Sequence, residues 1–382
     1  MNIEVVTSRQ ELDSLAMRWD ELARNDSRDG FFRTFGWYKA WIDHIRPDAE
    51  PFVIVARDRS NAILGLTPLC RLPYRDLGFR LDGLVWAGRE VVSGDFLDFL
   101  TENAVRHEVV TAMVRFLGQV RSRWGLLVTG ELLDGSDSCC ALERMGLEHR
   151  MPIRRQEERI CPFIALPRSF DQYLAGLGSA TRYHIRRRMR DVEKMGGAVE
   201  AYSRPEEIAQ RLDTMVRLHL ARWQKDHLPG TFGRPGFVAF LKQVIGNPPR
   251  DCSWRLYELL REDRPAAALL TFYFGESALY YQAGWDPDSE LAALSPGVVL
   301  MAHSISDAVK NGLRFYEFLR GDEAYKSHWT KTYRKTITLL FARSMMAKKY
   351  LAVARLKDSL KPHLPFRAQT VDGPFEHCAD SQ

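Results

Sequence analysis

No apolar run in this 382-residue sequence approaches the roughly 18 to 20 residues needed to cross a bilayer, and Met1 to Asp20 has neither the basic start nor the apolar centre of a secretory leader. The expected compartment is therefore the cytoplasm. Cysteine is scarce. The six that occur, Cys70, Cys139, Cys140, Cys161, Cys252 and Cys378, form neither paired C-x-x-C knuckles nor a secreted disulfide framework, which predicts reduced thiols. The neighbours Cys139 and Cys140 diverge on a helix and have no histidine at matching spacing, so no metal site is expected. There is no G-x-S-x-G elbow and no Cys-His signature, which removes the usual covalent hydrolases. Excess charge is lacking too: the formal net charge is +5, so any attraction to a polyanion must come from local clustering.

What is there is an ordinary globular composition, 45% hydrophobic and 27% charged, in a chain long enough for two or three domains. Ser8 and Glu11 stand at capping-box spacing ahead of Leu12, Leu15, Trp19 and Leu22, which mark one helical face. A second helix, 35–45, precedes two apolar runs, 51–56 and 62–72, that read as a hairpin. A helix at 103–123 and a short buried strand at 125–129 follow. The same order returns later, as helices at 204–225 and 235–245, a strand pair at 254–260 and 266–274, a helix from Ser295 to Asn311 and a strand at 313–319. Element order, not residue identity, thus predicts a tandem duplication of one α/β unit. A boundary is expected in the charged stretch after Met151, giving a first domain at 1–155 and a second at 156–345 that includes a basic helix, 179–195. A basic amphipathic helix and tail occupy 346–382.

The stretch from Leu279 to Trp329 carries the most chemistry. A short aromatic strand ends at Gly284 and the Asp286-Pro287 turn. Ser295 then suits an N-cap, Pro296 suits the first helical position, and Gly297 allows close approach to the backbone. Met301, Ile305, Ala308 and Val309 follow at helical spacing. The exposed N–H groups and positive dipole end make Ser295, Pro296, Gly297 and Val298 a candidate seat for a pyrophosphate, although a merely well-capped core helix has the same pattern. After the next strand come Arg320, Gly321, Asp322, Glu323, Tyr325, Lys326, His328 and Trp329. Loops at the C-terminal ends of strands are where α/β proteins collect their sites.

The segment TRYHIRRRMRDVEK, 181–194, is a helix whose stripe of Ile185, Met189 and Val192 faces a core, while Arg182, Arg186 and Arg190 make a ridge beside it. A ridge of this kind fits donor phosphates, an anionic acceptor or RNA, and equally a solvated surface. No RNA-binding fold signature accompanies it, which argues against general nucleic-acid binding.

Together, YYQAGWDP, SPGVVLMAHSISDAVKNGL, YEFLRGDEAYKSHW and the upstream TRYHIRRRMRDVEKMGG resemble the GNAT acyltransferase superfamily. More narrowly they resemble its CelD-like branch, the acetyltransferase domain of cellulose biosynthesis, which is related to the FemABX peptidyltransferases. The likeness spans about Phe170 to Arg343. One departure stands out. The common GNAT phosphate loop, Arg/Gln-x-x-Gly-x-Gly/Ala, is missing, and Ser295-Pro296-Gly297 occupies its place. The resemblance implies tandem GNAT-like domains, each a mixed central sheet flanked by helices, with the first degenerate and the second catalytic. It implies transfer of an acyl group, in the simplest case acetyl, from acetyl-CoA or another acyl-CoA to an amine, for example an amino sugar of polysaccharide or envelope synthesis, without a metal. Asp322 is then the expected proton acceptor, with Glu323 as the alternative and Glu317 as a second candidate. Lys326 would contact the donor, an acceptor anion or the oxyanion. Tyr281, or failing it Tyr325, would protonate the departing thiolate. Arg186, Arg190, Arg320, Tyr325 and Trp329 complete the expected substrate contacts. The alternatives are a FemABX-like transferase using aminoacyl-tRNA and a non-catalytic tandem-GNAT scaffold.

Overall fold

The computed structural model describes residues 1–26, 28–120, 123–225 and 230–360. They form two compact units, one of residues 1–159 with 335–360 and one of residues 160–334. The tail, 361–382, lies outside the described residues.

The first unit begins with β1 (Asn2–Val6), α1 (Arg9–Arg24) and α2 (Phe35–Ala40), the last continued by a π-helical turn, Trp41–Ile45. β2 (Glu50–Arg57), β3 (Ile63–Asp76), β4 (Phe79–Trp86), β5 (Leu100–Thr101), α3 (Arg106–Gln119), β6 (Leu126–Val128), β7 (Leu132–Leu133) and α4 (Asp137–Glu148) follow. The apolar spacing placed α1 correctly, and Leu12, Leu15, Trp19 and Leu22 are all buried. Ser8 does stand at its N-cap, but its side chain makes no capping bond.

β8 (Ile153–Ala165) carries the chain onward to α5 (Phe170–Gly176), α6 (Ser179–Lys194), β9 (Gly197–Tyr202), α7 (Pro205–Lys225) and α8 (Phe237–Gly246). Next are β10 (Cys252–Arg261), β11 (Arg264–Phe274), β12 (Ser277–Trp285), α9 (Pro296–Lys310), β13 (Phe315–Glu317) and α10 (Lys326–Trp329). β14 (Tyr333–Ala342) and α11 (Met345–Leu360) close the described chain.

The duplication is visible in the sheets. Strand order in the first unit is β1-β2-β3-β4-β6-β14, and in the second β9-β10-β11-β12-β13-β8. In each, one neighbouring pair is parallel, β4 with β6 and β12 with β13, and it occupies the same place in the order. Each half-chain surrenders its last strand. The 163–165 end of β8 lies antiparallel to β13, and β14 lies antiparallel to β6. This exchange is why the units differ from the expected division at 155 and 345: β14 and α11 belong to the first unit, where α11 packs on β4. Alternation along a sequence shows that a strand exists, but its partner is chosen by long-range pairing.

Cys70, Cys139, Cys140, Cys161 and Cys252 are free thiols, and Cys378 lies outside the described residues. Among the described residues no helix is long and apolar enough to cross a membrane, and no group of three His, Cys, Asp or Glu side chains is placed to hold a metal.

Candidate active site

In the second unit two parallel strands separate. β12 and β13 pair over Ser277–Leu279 and Phe315–Glu317, after which β12 runs on through 280–285 without β13. In the first unit β4 extends only by Trp86 beyond its last pairing with β6. A strand that outruns its neighbour turns backbone groups toward a gap, where an extended ligand can meet them. β12 also carries a bulge at this point. Thr271 pairs with Tyr280 and Leu270 with Gln282, so Tyr281 has no partner across the ladder.

The two tyrosines at the parting point face different surroundings. Tyr281 is buried, tilted on Phe272 at 4.7 Å and stacked with Phe237 of α8 at 6.3 Å. It belongs to an aromatic layer. Tyr280 lies instead with the core of α9, β13 and α10, against Phe318, and its hydroxyl is hydrogen-bonded to that of Tyr325. Burial pushes Tyr280 up to about 12, assisted by the negative charge of Glu323, while Tyr325 moderates the rise. Tyr325 is held well above the usual phenol range, again by burial first and then by Tyr280 and Glu323.

The loop between β13 and α10 is drawn around Lys326. Its ammonium is buried and donates to the Arg320 carbonyl at 2.9 Å, while Glu323 Oε2 lies 2.8 Å away. Leu319 takes a left-handed backbone, and Gly321 has φ +125° with the Glu323 carboxylate standing where a Cβ would go. Only glycine meets both demands. Asp322 points into solvent and makes no ion pair among the described residues, and Arg320 is half-buried. Glu317 is fully buried on β13 and bridged to Arg334 at 3.0 Å. Trp329 is 1% exposed and lies in the apolar core, where its carbonyl accepts from the Tyr173 hydroxyl at 2.8 Å. The structure thus gathers Tyr325, Lys326, Arg320 and Asp322 in one loop, and keeps Tyr281, Glu317 and Trp329 in packed layers around it.

α9 begins where the spacing placed it, with a different cap. Ser295 has φ +54° and its side chain makes no capping bond; its carbonyl accepts from Val298 N at 2.9 Å. Pro296 and Val298 are buried, while Ser295 and Gly297 remain half-exposed. α6 packs against α9 and the turn at 292–294. Its first residue is Ser179, capped at Gly178, and its buried stripe is Ile185, Arg188 and Val192. Of the ridge, Arg182 donates to the Ala175 carbonyl, Arg186 pairs with Asp171 at 3.0 Å, and Arg190 is exposed.

Three residues not singled out from the sequence adjoin this region. Arg222 of α7 is buried 4.6 Å over the Trp285 ring, and its positive charge acts on Tyr280. His219, one turn earlier, accepts from Thr231 N and bonds the Ala283 carbonyl at 3.0 Å, and burial lowers it to about 4. The α7 backbone at His219 sits directly on Gly284, leaving no room for a Cβ there. The third, Tyr280, was half-legible: in the Tyr280-Tyr281 doublet alternation puts one ring on each face, but the sequence does not say which face holds the site.

Residues 179–327 match the family model described as acetyltransferase (GNAT) domain. No curated protein matches the chain. Among solved structures, FemX is similar over 92% of this chain and 99% of its own, with TM-score 0.61 and 11% identity. The C-terminal domain of a putative lysylphosphatidylglycerol synthetase from Agrobacterium fabrum aligns over 92% of this chain and 96% of its own, with TM-score 0.53 and 11% identity. A conserved protein of unknown function from Bacteroides thetaiotaomicron aligns over 90% and 100%, with TM-score 0.51 and 12% identity. At such identities the likeness concerns the fold alone, and the sequence match likens residues 179–327, within the second unit, to a GNAT acetyltransferase domain.

Proposed function

We propose that the protein is an N-acyltransferase that moves an acyl group, in the simplest case acetyl, from acyl-CoA to an amine, with its reaction centre in the second unit. The observation that carries this reading is the parting of β12 from β13 beside the Tyr280-Tyr325 hydroxyls and the Asp322 loop, whereas β4 outruns β6 by a single residue in the first unit. The donor pyrophosphate would lie at the half-exposed Ser295 and Gly297, and the thioester would extend along 280–285. Pro296 and Val298 would support this seat from the core side.

A neutral amine then attacks the thioester carbonyl carbon. The C–N bond forms, the C–S bond breaks, the amine proton passes through water to Asp322, and the thiolate takes a proton from Tyr280 or Tyr325. A phenol held at about 12 stays protonated at neutral pH, so it serves as an acid rather than a base. Asp322 is preferred to Glu323 because the latter is tied to Lys326, and Glu317 is occupied by Arg334. Lys326 holds the loop from inside, and Tyr281 supports β12 by packing. An amino sugar of polysaccharide or envelope synthesis suits the quoted CelD-like motifs as acceptor.

The resemblance to the FemABX peptidyltransferases carries a second reading, with which the FemX-like fold is compatible: transfer from aminoacyl-tRNA, in which exposed Arg190 and its neighbours on α6 grip RNA. Calorimetric titration separates the two. Micromolar, saturable acetyl-CoA binding that is weakened by Gly297→Val supports the first; salt-sensitive binding of charged tRNA with no response to acetyl-CoA supports the second. Binding of neither, with Asp322→Asn indistinguishable from wild type in cells, would leave a non-catalytic scaffold.

A further inference from the structure

Ten large hydrophobic side chains are exposed among the described residues, and four of them, Met345, Met346, Val353 and Leu356, stand on α11. They are 72, 52, 44 and 60% exposed. At 3.6 residues per turn the four fall within an arc of about 100°. Lys349 lies inside that arc, Lys357 about 20° beyond one edge and Lys348 about 60° beyond the other; all three are exposed and none has an ion pair among the described residues. The opposite side of the helix is already used. Ala347, Tyr350, Leu351 and Ala354 are buried in the first unit, Arg355 donates to the Ile153 carbonyl, and Asp358 pairs with Arg154.

α11 is therefore apolar on two faces, and among the described residues only one of them is covered by its own unit. We propose that the other is a docking surface for an anionic phospholipid bilayer. An apolar arc bordered by lysines is what an interfacial helix presents: the hydrocarbon groups enter the acyl boundary and the ammonium groups reach back to lipid phosphates. Unbranched methionines adapt to a fluid surface. The charge pattern selects the occupant. Two copies meeting face to face would bring six like-charged lysines into one interface, six being three from each copy. A negative lipid surface turns the same lysines into attraction, worth about fivefold in partitioning for each. With its inner face committed, α11 would lie on the membrane.

The test is co-sedimentation of the full chain with large vesicles of phosphatidylcholine alone or of three parts phosphatidylcholine to one part phosphatidylglycerol. Binding to the anionic vesicles is expected to exceed that to the neutral ones by about tenfold or more and to fall in high salt. Two triple variants should each cut it by about tenfold or more while leaving the melting temperature unchanged: Met345→Ser with Val353→Ser and Leu356→Ser, and Lys348→Glu with Lys349→Glu and Lys357→Glu. No binding to anionic vesicles, equal binding to neutral ones, or binding kept by the charge-reversed variant overturns the proposal. So does a wild-type dimer in light scattering that the serine variant abolishes, since a second copy would then be the occupant. None of these readouts depends on acyl transfer.

Discussion

At the scale of single residues, the loop after β13 separates chemistry from support. Asp322 is exposed and uncommitted, so Asp322→Asn should lower kcat by about 100-fold or more while leaving the melting temperature unchanged. Glu323→Gln should behave differently. It removes the carboxylate partner of a buried ammonium, so the protein should lose stability by about 1–3 kcal/mol in denaturant unfolding. A larger loss of kcat in Glu323→Gln than in Asp322→Asn would assign the proton to Glu323 instead. Tyr280→Phe keeps the ring against Phe318 and removes only the hydroxyl, so kcat should fall by roughly 10- to 100-fold with KM nearly constant. Tyr281→Phe, inside the aromatic layer, should change kcat much less. Steady-state kinetics with acetyl-CoA and an amine acceptor distinguish all four.

At the scale of elements, α7 is fastened to the end of β12 by a histidine that folding keeps neutral. Burial lowers His219 to about 4 in the folded protein, from about 6.5 in the unfolded chain. Below pH 6.5 the unfolded chain takes up this proton first, so the stability contribution is complete above that pH. It declines as pH falls and is gone near pH 4, a loss of roughly 3 kcal/mol. Melting temperature measured from pH 7 to 4 should therefore fall more steeply for the wild type than for His219→Asn. Asn has a side-chain N–H for the Ala283 carbonyl but does not titrate. An identical slope in both would remove His219 from the account. The helices themselves were legible, because Leu12, Leu15, Trp19 and Leu22 obey the 3.6-residue period. Their caps were less so. Ser295 was expected as an ordinary N-cap, but it follows the turn at 292–294 with a left-handed backbone and its side chain makes no capping bond.

For the molecule as a whole, the exchange of last strands decides what can fold alone. Residues 1–159 without 335–360 lack β14, which pairs with β6 and β7, and the inner face of α11. A chain ending at Arg159 should thus expose the apolar side of β6 and fail to give a cooperative unfolding transition. Joining 1–159 to 335–360 by a flexible linker should restore one, as read by calorimetry. Recovery of a cooperative transition by 1–159 alone would show that β14 is dispensable.

The sequence by itself determined the local facts: which segments are helices and strands, that two similar α/β units follow one another, and that the second carries the polar loop after its short strand. These depend on periodicity and on turn residues, which act within a few positions. Tertiary structure alone decided that β8 and β14 change places, that Tyr280 rather than Tyr281 meets Tyr325, that Lys326 is buried beneath its own loop, and that one face of α11 is left uncovered by the described residues. Those outcomes turn on which surfaces meet across long stretches of chain, and the alternation of a strand or the period of a helix is the same whichever partner it finds.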